Sequence, residues 1–597
     1  MNYYKNLRIL LIILTFIIAY LFCISFKIAD HGTYYINFII LSIVLFFEVC
    51  IMIEGINQSI ASKMKKDLDY EALKSFPYVD VLITVHDEPS EILYRTINSA
   101  VRMDYPKDKL SICLCDDMLR DDMEELAESF DIKYIPCENN KHAKAGNLNN
   151  ALKQTYSPYV LILDADMIPT EKTLIKLLPF FSDSEMGYVQ APQTFYNMDL
   201  YRFNLHGEKI FPNESEYYIR KINPGRSRTN SVICCGSSVI FKREALEEVE
   251  YFDTSTIAED FATVTKLQKR KYKNLAIDET LINGLHPLTI DDLFTQEERW
   301  LRGAMQVLKK NNFFLSKKLT ISQTINSLVI IINWINYLGR TFFLLLPILL
   351  VLLNMFISLQ LMVILTLWVS FYLLNIVIRL YGGNKHILYS DFVSTIKCFH
   401  LAKTFIKEIF MPYKRFNVTD KKVQRKREFN NHCIPHLIVL LLNILCFIYL
   451  ILVDDYNILT VVDYNLIIIF WLLVNIITLI FCILFFIGRS DSNLIEVFEI
   501  KTLIKIDNKV HETENISLKG ITINSKLDNG NEVDLIINPN LKNTSRTTDN
   551  IKLKGFTKNI GDKTFIEIIN TTNKDISDYT HYIFNRKDFF TNHTIEN

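Results

Sequence analysis

The sequence has no CxxC pair and no His/Cys cluster at the spacing of a zinc site, which excludes structural zinc and a dithiol redox centre as its organising chemistry. Its eleven cysteines are scattered, several inside apolar runs (Cys23, Cys50, Cys446 and Cys482), a pattern that suits a reduced compartment better than a disulfide framework. Excess charge of either sign is also missing. Lys and Arg number 65 against 66 Asp and Glu, a formal net charge of -1, so nothing in the balance points to nucleic acid as a partner. The first apolar run follows Lys5 and Arg8 as in a signal peptide, yet it continues to about Ile28 without a small-residue cleavage site. It reads as an uncleaved membrane anchor.

What is present is length, long apolar runs and segregated charge. At 597 residues the chain exceeds what one hydrophobic core usually serves, implying at least two folded units besides any membrane part. Apolar runs of roughly 20 residues, enough to cross about 30 Å of hydrocarbon, lie near 7–29, 34–56, 338–358, 359–380, 434–453 and 464–487. The segment near 320–335 is less apolar and suits the membrane interface. The loop after Arg379 carries Lys385, Lys403, Lys407, Lys414, Arg415, Lys421, Lys422, Arg425, Lys426 and Arg427, whereas the 454–463 connection carries Asp454, Asp455 and Asp463. Positive loops stay inside, so residues 57–337 and the tail after 488 are expected in the cytosol with the basic loop.

From Tyr78 onward, β-rich apolar runs alternate with helical stretches: VDVLITV, then 90–103, LSICLCDD, 121–129, DIKYIP, 143–154 and YVLILDAD. This alternation predicts an α/β domain on a parallel sheet. Ligands of open α/β sheets bind beyond the carboxyl ends of the strands. Polar residues stand there: Thr84, His86 and Glu88, then Asp116 and Asp117, then Asp164 and Asp166. One acid pair after a strand is ordinarily a turn former; three such ends suggest a shared crevice. Asp164 and Asp166, at i and i+2 on an extended segment, leave the same face. A hard divalent ion takes carboxylate oxygens together with substrate phosphates, so the pair suits a nucleotide diphosphate held through Mg²⁺ or Mn²⁺.

Further motifs stand in order along the chain: Lys141-His-Ala-Lys-Ala-Gly-Asn147 before the Asp164-Ala-Asp166 pair, Cys235-Gly-Ser237, Glu259-Asp260, Gln296-Glu-Glu-Arg-Trp300, and Phe416-Asn-Val-Thr-Asp-Lys421 between two apolar runs. In this order and spacing the chain resembles bacterial cellulose synthases, processive family 2 glycosyltransferases of the GT-A fold. The resemblance covers about residues 35–487 and, more faintly, the tail. It implies a multi-pass α-helical membrane protein with a cytosolic α/β GT-A domain: two helices over 1–60, the transferase over 70–315, and interfacial and about four transmembrane helices over 316–488. Its activity would be inverting transfer from UDP-glucose to a growing β-1,4-glucan that passes outward across the plasma membrane, with an extracellular accessory subunit as a possible partner. Mixed-linkage glucan, hyaluronan and poly-N-acetylglucosamine stay open as products, as does nonprocessive transfer to a lipid.

Residue by residue, the resemblance assigns Thr84, His86, Glu88, Asp116, Asp117 and Lys144 to the donor, together with Gln296 and Arg299. It gives Asp164 and Asp166 to diphosphate and metal, and Cys235, Gly236, Ser237 and Trp300 to the acceptor. Asp260 becomes the general base that an inverting transfer requires, although Thr256-x-x-Glu259 also reads as a helix capping box. The family shows Thr-Glu-Asp where this chain has Ala258-Glu259-Asp260. Phe416, Val418, Thr419 and Lys421 fall in a loop (412–427) that closes over the donor in the resembled enzymes.

After 488 the pattern turns to short alternating strands, LIEVFEI, GITINS, EVDLIIN and TFIEIIN, which predict a small β-barrel. Asn515, Ser517 and Gly520 resemble the second signature of the PilZ domain, which binds cyclic di-GMP as an activator in related synthases, and Ile583–Asp588 resembles their ending. The first signature, an RxxxR pair, is incomplete, with only Arg489 available.

Overall fold

The computed structural model describes residues 34–63, 73–138, 141–311, 316–353, 361–412, 430–453, 462–489, 497–507, 509–537, 550–569 and 572–585. The expected span at 7–29 lies outside these residues.

The α/β domain is built on a seven-stranded sheet in the order β3-β2-β1-β4-β8-β6-β9. The apolar runs form β1 (Val79–Val85), β2 (Leu110–Asp116), β3 (Lys133–Pro136) and β4 (Tyr159–Asp164), mutually parallel as the alternation predicts. Every residue of β1 is buried, as in a strand covered on both faces. The helices Ser90–Ala100, Asp121–Ser129 and Ala143–Leu152 fill the intervening stretches. Beyond β4, past the runs on which the parallel expectation rests, the sheet becomes mixed. β8 (Val239–Lys242) runs antiparallel to β4 and to β6 (Met186–Gln190), and β9 (Lys273–Ala276) is parallel to β6. The long 191–238 excursion between β6 and β8, not a single helix crossover, allows this reversal.

A second sheet sits at the carboxyl end of the first, in the order β5-β10-β7, from β5 (Ile168–Pro169), β7 (Thr194–Phe195) and β10 (Ile282–Gly284). Successive residues of extended chain face opposite ways, and the neighbours here do so. Ile168 and Tyr196 join the core of the C-terminal domain, while Met167 and Phe195 face the cleft described below. After β10, Leu285 belongs to that core and also borders the cleft, which His286 borders too.

The C-terminal domain is a closed six-stranded barrel, β11-β12-β13-β16-β15-β14. Its strands are β11 (Leu503–Ile506), β12 (Lys509–Ser517), β13 (Gly520–Ile523), β14 (Glu532–Ile537), β15 (Ile551–Ile560) and β16 (Lys563–Ile569). β13, β14 and β16 follow the expected runs. The run LIEVFEI gives a single bridge, Phe498 to Ile516, among the described residues. The helix Asn573–Phe584, capped by Thr572, joins barrel to transferase: Arg102 Nη2 lies 2.7 Å from Asp578 Oδ1, His581 Nε2 lies 2.8 Å from Glu171 Oε1, and Tyr196 meets Phe584 edge-on at 5.1 Å.

Among the described residues four helices are long and apolar enough to cross a membrane: Ser42–Lys63, Ile321–Leu352, Asn431–Leu452 and Leu466–Ile487. The run at 359–380 also forms a helix, Leu361–Tyr381. Two departures matter. The interfacial segment near 320–335 and the span near 338–358 are one continuous helix, Ile321–Leu352, started by a Thr320–Gln323 capping box. Nothing between 335 and 338 breaks it, and Gly339 leaves room for the Phe47 ring, which an added Cβ would meet at 2.8 Å. The basic stretch after Arg379 is not all loop, because Ile387–Phe410 is a helix with Tyr389, Val393, Ile396, Leu401 and Phe405 buried.

Asp80 in β1 accepts from Ser157 N–H at 2.8 Å and from Ser157 Oγ at 2.7 Å, and pairs with Arg243 Nη2 at 2.8 Å. Both charged side chains are under a tenth exposed. Asp80→Ala leaves the guanidinium unpaired in the core, an expected loss of about 3–5 kcal/mol. In detergent its unfolding midpoint should fall well below that of Lys273→Ala, which removes only an exposed pair.

Candidate functional site

A cleft of about 950 Å³ opens beyond the carboxyl ends of β1, β2 and β4. Thr84, His86, Glu88, Asp117, Lys144, Asp164 and Asp166 line it together. His86 Nδ1 lies 2.6 Å from Asp117 Oδ1, and His86 N–H donates to Glu88 Oε2 at 2.8 Å. This polar lip suits a base and ribose. Asp116 is turned away from it. Its carboxylate accepts from Met118 N–H at 2.9 Å, Arg120 N–H at 2.7 Å and the Tyr134 hydroxyl at 2.9 Å, so it holds the β2 turn that presents Asp117.

Lys144, in the first turn of the Ala143–Leu152 helix, sends its ammonium across the cleft to Asp164 Oδ1 and to Gly236 O, the latter at 2.6 Å. Burial pulls the Lys144 pKa down, but Asp164, Glu259 and Asp260 outweigh it and the net shift is upward. Asp164 N–H donates to Ser237 Oγ at 2.8 Å, which makes Ser237 a brace for the Asp164 backbone more than part of the wall. Asp166 Oδ2 accepts from Leu285 N–H at 3.3 Å. The two carboxylates stand i and i+2 on the same wall. Among the described residues no three His, Cys, Asp or Glu side chains gather as a metal cage.

Cys235 and Gly236 line the wall beside Asp260. Gly236 has φ +80°, and a Cβ there would sit 2.9 Å from Asp260 Oδ2 and 3.6 Å from Lys144 Nζ, so glycine is required by conformation and by space. Asp260 opens the Glu259–Lys269 helix, whose N-cap Ala258 makes no side-chain hydrogen bond. The expected capping box is not formed, since Thr256 Oγ1 donates instead to Ala258 O at 3.3 Å. Burial first and Glu259 second push the Asp260 carboxyl up to about 7, against the Phe261 N–H, Lys144 and Arg299.

Gln296, Arg299 and Trp300 form the facing wall on one side of the Ile290–Asn311 helix, as their i, i+3, i+4 spacing predicts. Trp300 is 44% exposed, an indole face open to a pyranose. Gly303 lets this helix press on the segment that precedes Asp260, because a Cβ there would meet Ala258 Cβ at 2.6 Å. Phe416, Val418, Thr419 and Lys421 lie outside the described residues, but Pro412, which precedes that stretch, stands on the cleft rim.

Sequence reasoning missed two residues. Gln190, at the end of β6, accepts from Cys235 N–H at 3.0 Å and donates to Ser237 O at 2.9 Å, fixing the Cys235–Ser237 loop. The rule that singled out β1, β2 and β4, a polar residue at a strand's carboxyl end, also finds it. His286 lines the cleft without any motif to signal it. In the barrel, Asn515, Ser517 and Gly520 make a tight strand turn. Gly520 N–H donates to Ser517 Oγ at 3.1 Å, and a Cβ at 520 would meet Ile566 O at 2.3 Å. Arg489 is paired with Glu208 and lies 4.7 Å from the Phe203 ring centroid.

Residues 80–250, which carry most of the seven-stranded sheet and much of the acid-lined cleft, match the model of Glycosyl transferase family 2. More particularly, the chain is similar to cellulose synthase catalytic subunits. It is 30% identical over 384 residues to the UDP-forming subunit of Pseudomonas fluorescens (strain SBW25), covering 62% of this chain and 51% of that one. It is 29% identical over 469 residues to cellulose synthase 1 catalytic subunit of Komagataeibacter xylinus, covering 75% and 62%. The chain thus spans between half and two-thirds of the length of these relatives. A solved mannosyltransferase of Pyrobaculum calidifontis, in complex with GDP-Man and Mn²⁺, is also similar, with TM-score 0.45, 17% identity, and coverage of 62% of this chain and 98% of that one.

Gly236→Ala should keep the fold by circular dichroism yet lower transferase activity more than tenfold, since the new methyl has to displace either the Asp260 carboxylate or the loop.

Proposed function

We propose that this chain is a processive, inverting β-glycosyltransferase of the plasma membrane that polymerises glucose from UDP-glucose into a β-1,4-glucan and passes it outward. The observation that carries the reading is the convergence, in one cleft, of Lys144 with Asp164 and Asp166 on one side, Asp260 beside Gly236, and Gln296, Arg299 and Trp300 opposite. Similarity to UDP-forming cellulose synthase subunits supports UDP-glucose as donor and cellulose as product.

In this reading Asp117, His86 and Glu88 receive the uridine end of the donor, and Lys144 and Arg299 meet its phosphates. Asp164 and Asp166 would hold Mg²⁺ or Mn²⁺, which neutralises the departing diphosphate when bound. Trp300 supports the terminal sugar of the growing polysaccharide. Asp260 takes the proton of that sugar's hydroxyl as it attacks the anomeric carbon from the face opposite UDP. The basic stretch after Arg379 supports a cytosolic side for the transferase and barrel, with the apolar helices crossing the bilayer. Thr419 and Lys421 would meet the donor phosphates, a role that rests on the resemblance of their motif. An extracellular accessory subunit belongs to the same proposal as receiver of the product. Cyclic di-GMP as activator has less support, because a ligand at Arg489 must displace Glu208.

The test is the full chain in lipid vesicles, given several UDP-sugars with Mg²⁺ or Mn²⁺, and the product digested with linkage-specific glycosidases. Cellulase-sensitive polymer from UDP-glucose upholds the reading. A different β-glycan replaces the product, and a single sugar on lipid rejects processivity.

Asp260 accepts a proton only when ionised, so kcat/KM should fall as pH drops below about 7 and level off above it. Asp260→Asn should lower the rate more than about 100-fold and flatten that profile. The double change Thr419→Ala, Lys421→Ala should reduce polymer synthesis, and unchanged kinetics would exclude the loop as a gate.

A further inference from the structure

His286 takes no part in the chemistry described so far. It follows β10 on the segment whose preceding residue, Leu285, donates its N–H to Asp166 Oδ2 at 3.3 Å. Its side of the small sheet faces the cleft, and it is only 8% exposed. Its backbone is held from both sides by Asn197, with His286 N–H donating to Asn197 Oδ1 at 2.6 Å and Asn197 Nδ2 donating to His286 O at 3.1 Å. Pro287 follows and narrows the choice of backbone conformation further. The Phe195 ring stands edge-on to the imidazole, 4.9 Å between centroids and 82° between planes. The ring is therefore fixed in place by backbone and packing together.

A polar group fixed so firmly is ordinarily bonded. Here Nδ1 is buried and has no hydrogen-bond partner among the described residues. Burial pushes the imidazole down to about 4, so at cytosolic pH the ring is neutral, with one nitrogen donating and the other accepting. A neutral ring with an unmet nitrogen suits a hydroxyl, which both donates and accepts.

The position narrows the ligand. Asp166, gripped by the residue next to His286, is assigned to the donor diphosphate, and the hexose is the next covalent unit after the β-phosphate. We propose that His286 is a specificity-determining residue that hydrogen-bonds a hydroxyl of the donor hexose. The assignment rests on the donor site of the proposed function. It goes beyond that reading by placing sugar discrimination on a residue outside the transferase motifs. Aligning the hydroxyl satisfies the ring, and a donor lacking that hydroxyl or presenting it differently leaves the ring unpaired in a dry wall. Such a mismatch is what gives a hydrogen-bonding site its selectivity.

The experiment compares the full-length protein in lipid vesicles with His286→Ala and His286→Gln. Initial rates are read with UDP-glucose, UDP-galactose and UDP-N-acetylglucosamine, and UDP affinity is read by product inhibition. The expected result is a roughly ten- to hundredfold fall in kcat/KM for the preferred donor in His286→Ala, with the ratio between donors narrowed and the UDP inhibition constant unchanged within about twofold. His286→Gln, which keeps a donor and an acceptor, should recover part of the ratio. An unchanged donor ratio in His286→Ala overturns the proposal. So does a loss equal for all donors accompanied by weaker UDP binding, which marks a structural residue. Wild-type protein inert toward every UDP-sugar instead overturns the proposed function, which separates the two failures.

Discussion

The cleft depends on one partly buried cation. Asp164, Asp166, Glu259 and Asp260 all border the same space, and without compensation their charges would raise one another's pKa and push the wall open. The Lys144 ammonium lies among them, on Asp164 and on the carbonyl of Gly236, itself in contact range of Asp260. It joins β4, the Cys235–Ser237 loop and the Glu259–Lys269 helix through one atom. Hence Gly236 has to be glycine, and Ser237 and Gln190 brace the same loop from behind.

The facing wall is fixed by buried charge of a second kind. Lys397 is 2% exposed and bonds Glu297, beside Gln296, and Glu214 at 2.9 Å, with the Tyr201 ring centroid 5.4 Å away. Arg302 Nη1 reaches Glu408 at 2.8 Å, and Gln306 Nε2 donates to the same carboxylate at 2.9 Å. These contacts bind the Ile387–Phe410 helix to the helix that carries Gln296, Arg299 and Trp300. The Ile387–Phe410 helix ends just before Pro412, so the rim of the cleft and its wall share a mount.

Much of this was legible in the sequence, for identifiable reasons. β1 to β4 were visible because buried parallel strands write themselves as uninterrupted apolar runs ending in polar residues, as VDVLITV and YVLILD do. The Gln296, Arg299, Trp300 face followed from helical spacing alone. The Ile387–Phe410 helix was hidden because its apolar positions are interleaved with lysines that resemble a cytosolic loop, and nothing local marks Lys397 as buried. Asp116 and Asp117 look alike in sequence, yet three hydrogen bonds turn one inward and leave the other on the wall. β12 was missed because polar and charged residues interrupt its alternation, whereas β11 and β15, where lysines alternate with buried Ile504, Ile506, Ile551 and Leu553, carried a readable period-2 pattern that was not singled out. His286 needed the fold, since its environment is assembled from Asn197 and Phe195, far away in the chain.

The small sheet β5-β10-β7 is a partition one strand thick, with the transferase on one side and the barrel on the other. Cutting the barrel away would leave Ile168, Tyr196 and Leu285 facing water on the back of the residues that wall the cleft. Packing in the barrel core and packing behind the cleft wall are therefore one apolar cluster, and a change of volume in the first is felt at the second.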